Sequence, residues 1–227
     1  MSGQSSAPAS RRTRVAALVA GGALVVGGVG YTLASWTDTE WVFGGNGTGG
    51  PGIATSTFEV EQNVTGALDT GWTQAEDAPG QEMTFTPDAI ALSPGDSTYA
   101  SVVLRTTQDS IAGNVKLLKA ESVEVISDPT TPGQLLWNAL DVRVAATAQG
   151  APCNVSTFTA GTVIASGPLA TSAASASQRL EAAGASRQQY CFEIALPETP
   201  RLPTGVPVGA LQGLAVTPAW EFFAESE

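Results

Sequence analysis

From Ile53 to the C-terminus the chain alternates apolar and polar residues with a period of two. That period puts successive side chains on opposite faces of an extended strand and leaves no room for a helical core stripe. Phe58, Val60 and Gln62 alternate with Glu59 and Glu61, and Met83 and Phe85 with Thr84 and Thr86. Ala100, Val102 and Leu104 alternate with Ser101, Val103 and Arg105. Leu140, Val142, Val144 and Ala146 alternate with Asp141, Arg143 and Ala145, and Tyr190, Phe192, Ile194 and Leu196 with Cys191, Glu193 and Ala195. Val216, Trp220 and Phe222 share one face of the last run. Turn signals separate these runs: Thr86-Pro87-Asp88, Ser93-Pro94-Gly95-Asp96, Asp128-Pro129, Pro132-Gly133 and the Pro-rich stretch Pro197 to Pro207. Many short strands so punctuated predict an all-β fold, an antiparallel β-sandwich. Only Leu169 to Ala183 reads as a short helix, with Gly184 as its C-cap; its Ala/Ser content equally suits an irregular loop.

The region ahead of this domain is built differently. Met1 to Ser10 is polar and small-residue-rich. Arg11, Arg12 and Arg14 form a basic cluster, and Val15 to Ala34 is a run of 20 residues without a charge. Such a run can span a bilayer as a helix. Gly21, Gly22, Gly27, Gly28 and Gly30 weaken it, and Thr32-Leu33-Ala34 ends it with small residues where signal peptidase requires them. Residues 1–34 are therefore expected to be a signal peptide cut between Ala34 and Ser35, with an uncleaved anchor as the rival reading. Thr13 and Arg14 stand where a twin-arginine signal needs an apolar pair, so that export route is not expected. The protein is expected to be secreted or at the cell surface, touching the membrane only through this leader before cleavage.

Behind the cut, Ser35 to Phe43 alternates again: Trp36, Asp38 and Glu40 on one face, Thr37, Thr39, Trp41 and Phe43 on the other. Gly44 to Gly52 (GGNGTGGPG) is a flexible linker. A short aromatic strand on a tether adds to a neighbouring subunit, folds back as the first strand of its own sheet, or stays disordered. Donation would bury Trp36, Trp41, Val42 and Phe43, each large apolar side chain being worth roughly 2 to 3 kcal/mol. Because each subunit gives to the next, the contact does not close and would build a filament. The expected division is 1–34 leader, 35–52 strand and linker, and 53–227 sandwich.

Charge and composition limit the chemistry. All 21 acidic residues follow position 37, against seven basic ones, so the part after the leader carries a net charge of −14. Such a surface repels phosphate backbones, and no nucleic-acid partner is expected. The absence of histidine removes the commonest general base and zinc ligand. Cys153 and Cys191, both in the exported part, are expected to form one disulfide. It would close a loop of about 38 residues and contribute about 4 kcal/mol in the chain-entropy model.

Lys116 and Lys119 lie in one strand-like segment, which leaves little for a Ser-Lys pair. Glu59 and Glu61, two apart, fit the outward face of a strand better than a glycosidase pair. Asp96 is placed to cap its own turn, with a calcium role for it, or for Asp38 with Glu40, as the alternative. No catalytic residue, metal or cofactor is expected.

Four stretches carry a resemblance: GGVGYTLASWTDTE at the leader junction, STFEVEQ after the linker, LSPGDSTYASVVLRTT with its Pro94-Gly95-Asp96 turn, and ALQGLAVTPAWEFFAE near the C-terminus. In this order the chain resembles the TasA/camelysin class of exported proteins. It looks closest to the actinobacterial alternate-type signal peptide proteins, which YCFEIALP also fits. Thr106 to Ser110 stands where that family has an Asn-Gly type turn. The resemblance implies a jelly-roll-like sandwich exported to the surface and a leader cut by a dedicated signal peptidase. It also implies partners of its own kind, since some members form biofilm matrix fibres by inserting the N-terminal strand into the next subunit. Others have been assigned metallopeptidase activity. The expected function is thus a non-enzymatic surface or matrix protein that self-assembles. The alternatives are a monomeric secreted module binding a wall polymer or an ion and, less favoured, a hydrolase.

Overall fold

The computed structural model describes residues 55–67, 69–124, 132–160 and 162–227. The leader, the cleavage pair Ala34 and Ser35, the strand residues Trp36, Trp41, Val42 and Phe43, and the Asp128-Pro129 turn lie outside them.

Among the described residues eight strands form two antiparallel sheets, so this part of the chain is all-β as its alternation requires. The first sheet runs β1 (Val60–Asn63), β2 (Ser97–Thr106), β7 (Gln188–Ala195), β4 (Asp141–Thr147), β5 (Thr162–Pro168). The second runs β6 (Gln178–Leu180), β3 (Gly113–Ser122), β8 (Pro218–Ser226). β7 lies in the middle of the larger sheet, with β2 and β4 on its two sides. Its even-numbered residues Tyr190, Phe192 and Ile194 join a core that also takes Val102 and Leu104 of β2, Val142 and Val144 of β4, and Val115 and Leu117 of β3. The two sheets meet through aromatic rings. Tyr190 packs on Phe222 at 4.7 Å between centroids, and Phe192 on Trp220 at 4.8 Å.

Three local expectations need correction. Leu169 to Ala183 is not a helix. Apart from one turn in which Thr171 N and Ser172 N donate to Pro168 O, its backbone donates to other segments, with Leu169 N on Leu140 O, Ala174 N on Leu117 O and Ser175 N on Ile164 O. Leu169, Ala174 and Leu180 enter the core at intervals of five and six, which no helix face provides. The stretch ends in β6 and a short 3₁₀ turn, Ala182–Gly184, where Gly184 N is held by Thr106 Oγ1.

The segment at Pro132-Gly133 is not a turn but the start of the eight-residue helix α1 (Pro132–Ala139). Proline suits that place because the first helical N–H groups lack intrahelical acceptors anyway. Trp137 and Ala139 point from it into the core. Met83 and Phe85 are not in a strand; one backbone bond, Thr86 N to Tyr99 O at 2.9 Å, joins the end of this run to β2. Both side chains nevertheless pack half-buried against the core, so the alternation records burial and not a ladder.

Gly113, the first residue of β3, shows a close approach that only glycine allows. The Phe58 ring and Glu225 O occupy the space a Cβ would need.

Tyr190 is fully buried and its hydroxyl has no partner among the described residues. Burial pushes its phenol well above the ordinary value of 10.0. The unfolded phenol ionises near that ordinary value while the folded one stays protonated. Stability is therefore expected to fall as pH rises past about 10. Tyr190→Phe is expected to flatten this decline and, having no hydrogen bond to lose, to leave neutral-pH stability unchanged or raised by up to about 1 kcal/mol. Urea melts below and above the phenol range check both points. An unchanged alkaline decline in the variant would contradict the assignment.

Candidate functional site

Two places on the described domain hold more than packing requires. The first is the outer face of β7, where the odd-numbered residues point. Gln189, Cys191 and Glu193 occupy three successive outward positions, and each is at most 4% exposed. A flap running from the end of β4 to α2 (Thr157–Ala160) covers them. Gln189 accepts from Gly150 N at 2.8 Å and donates to Ala151 O at 2.7 Å. Cys191 is joined to Cys153, with the Cα atoms 5.3 Å apart. The disulfide read from the sequence is therefore present, and on the outward face of its strand. It pins this flap, while β5 and β6, which also lie between the two cysteines in sequence, join the sheets and contribute Ile164, Ala165 and Leu180 to the core. Cys191, Ala145 and Phe158 form a second small apolar cluster there, with Tyr99 packed against it.

Glu193 continues the row. Register places Tyr99 of β2 and Arg143 of β4 directly opposite it on either side. The Tyr99 hydroxyl donates to Glu193 Oε1 at 3.2 Å, and Arg143 Nε donates to Glu193 Oε2. The Arg143 guanidinium also lies over the Phe158 ring, 4.7 Å from its centroid. Burial raises the Tyr99 phenol, and the Glu193 carboxylate beside it raises it further. The hydrogen bond to Glu193 raises the Arg143 guanidinium. Both shifts keep the Tyr99 phenol and the Arg143 guanidinium protonated, so the row is an electrostatic strut across three strands. The alternation of the strands does not by itself mark this trio. The available signal was a carboxylate in the middle of the most apolar strand, matched by an arginine in an equally apolar one.

The second place is the free edge of β8. Among the described residues this nine-residue strand pairs only with β3. Trp220, Phe222 and Ala224 face the core but stay half-buried, as do Leu214 and Val216 just before them. Trp220 Nε1 is buried without an acceptor among the described residues. The start of the described chain lies beside the C-terminal end of this strand: Thr57 bridges Ser110, Glu227 N donates to Ala112 O, and Phe58 lies against Gly113.

The remaining candidates take quieter places. Pro94 and Gly95 form a turn that Asp96 closes, its Oδ2 accepting from Ser93 N at 2.8 Å. Gly95 has φ +96° and its N–H donates to Leu196 O. Glu61 pairs with Arg105 at 2.6 Å, and Arg105 stacks on Trp72 at 3.9 Å. Glu59 accepts from Gln74. Lys116 and Lys119 both lie in β3. Among the described residues no three His, Cys, Asp or Glu side chains are grouped to hold a metal, and no helix is long and apolar enough to cross a membrane.

These features define an all-β antiparallel protein whose central strand is clasped by a disulfide-anchored flap and whose last strand has one edge that no other described residue pairs. No protein-family model matches the chain, and neither a curated protein nor a solved structure matches it.

Proposed function

We propose that this chain is an exported surface or matrix protein whose subunits join by strand addition, Ser35 to Phe43 of one copy pairing with the β8 edge of the next. The reading assigns it no catalytic role. The observation that carries it is the β8 edge itself. A nine-residue edge that no other described residue pairs, with half-buried aromatic side chains behind it, is a liability that proteins ordinarily cover or charge. A strand-like segment of equal length, with Trp41 and Phe43 on one face, stands in the same sequence. It is tethered by the twelve residues 44–55, which reach about 40 Å when extended. The leader, by this reading, holds the segment at the membrane until the cut after Ala34 frees it.

The test compares the chain beginning at Ser35 with the chain beginning at Ile53, by electron microscopy and light scattering. Filaments are expected from the first and monomers from the second. The peptide Ser35 to Phe43 added to the second is expected to bind one to one. If both chains stay monomeric at high concentration, or both polymerise alike, strand addition is wrong.

A further inference from the structure

A surface depression of about 310 Å3 opens on the outer face of the five-stranded sheet, lined by Ser97, Asp141, Arg143, Ser166 and Glu193. We propose that it binds a neutral saccharide unit of a glycan, an activity separate from the β8 edge.

Charge selects the class of ligand. Each ion in the depression already has its counter-ion, Arg143 on Glu193 and Arg201 Nη2 on Asp141 Oδ1 at 2.6 Å. The site is thus electrically balanced inside a chain of net charge −11. A phosphate or uronate polymer would gain little from Arg143, which is already neutralised. It would also meet Asp141, Glu193 and the repulsion of the whole surface.

Hydrogen bonding selects further. Among the described residues the two terminal nitrogens of Arg143, Asp141 Oδ2 and the Ser166 hydroxyl have no hydrogen-bond partner. A ligand must therefore offer acceptors to a guanidinium and a donor to a carboxylate, side by side and without net charge. Adjacent hydroxyls on a sugar ring do both. The size is right, since small-ligand sites begin at about 300 Å3.

The arginine is also set in advance. Glu193 holds its Nε, and Phe158, carried on the disulfide-anchored flap, lies under its guanidinium plane. Little side-chain freedom is left to lose on binding. The signal peptide, the open β8 edge and the strand segment play no part in this site, so it stands or falls without them.

The test is calorimetric titration of the full-length protein with maltohexaose, cellohexaose and chitohexaose, beside polygalacturonate and poly(glycerol phosphate). At least one neutral oligosaccharide is expected to bind with a millimolar or tighter Kd, with little dependence on salt. Arg143→Lys keeps the charge but loses the fork, and is expected to weaken binding roughly tenfold or more. Ser166→Trp fills the depression from an exposed position on β5 without touching the core, and is expected to abolish binding. No binding to any of the three neutral probes at millimolar concentration overturns the proposal. So does tighter binding of either anionic polymer, or wild-type affinity in Ser166→Trp.

Discussion

Phe192→Ala is expected to cost about 3 to 5 kcal/mol, the range for emptying the space of a large aromatic in a packed core. Phe192 is fully buried at the centre of β7 and joins the two sheets, with Trp220 at 4.8 Å and Phe222 at 6.4 Å. Neither Trp220 nor Phe222 can move in to fill the gap without pulling β8 off its ladder with β3. Phe223→Ala is the matched control. It removes the same ring one residue from Phe222, but from a position 46% exposed, and is expected to change stability by no more than about 0.5 kcal/mol. Chemical denaturation of both variants checks the contrast. Similar losses at the two sites would mean that the sheets do not share the core described.

Loss of the Cys153–Cys191 bond is expected to be nearly as costly. A closed loop of this length is worth about 4 kcal/mol in the chain-entropy model, or a fall of roughly 10 to 15 °C in Tm for a domain of this size. The loss has a specific local consequence. Without the bond, the flap is left with the two Gln189 hydrogen bonds and the Phe158 packing to hold it against β7 among the described residues, and Phe158 is less firmly held beneath Arg143. Cys153→Ala with Cys191→Ala should therefore lower Tm, and the oxidised wild type should fall to the same value when reductant is added. A melt within a degree or two of wild type would show that the hydrogen bonds and Phe158 packing hold the flap by themselves.

The sequence showed the fold wherever one residue type had one job. β7 was legible because its two faces differ in every second residue, and the same parity correctly sent Cys191 outward. The disulfide followed from two cysteines in a chain expected to be exported. The Leu169 to Ala183 stretch misled because alanine and serine favour a helix only when nothing else claims their backbone. Here Leu117, Leu140 and Ile164, all outside the stretch, supply acceptors. α1 was missed because a Pro-Gly pair signals a turn locally, whereas Trp137 draws the segment helical by burying itself in the core. The Glu193–Arg143–Tyr99 row was out of reach for a different reason. Its members lie on three strands separated by up to 94 residues, and only the register brings them into line.

The clasp on β7 also divides the chain by how far it can be stretched. A pull applied at the two ends would draw out the residues before Cys153 and after Cys191. The 38-residue span between the two cysteines would stay coiled behind its bond. That hidden length is roughly 130 Å at the spacing of an extended backbone. The molecule thus has a mechanical reserve set by redox state: a short tether while oxidised, and a longer, more compliant one when the bond is cut.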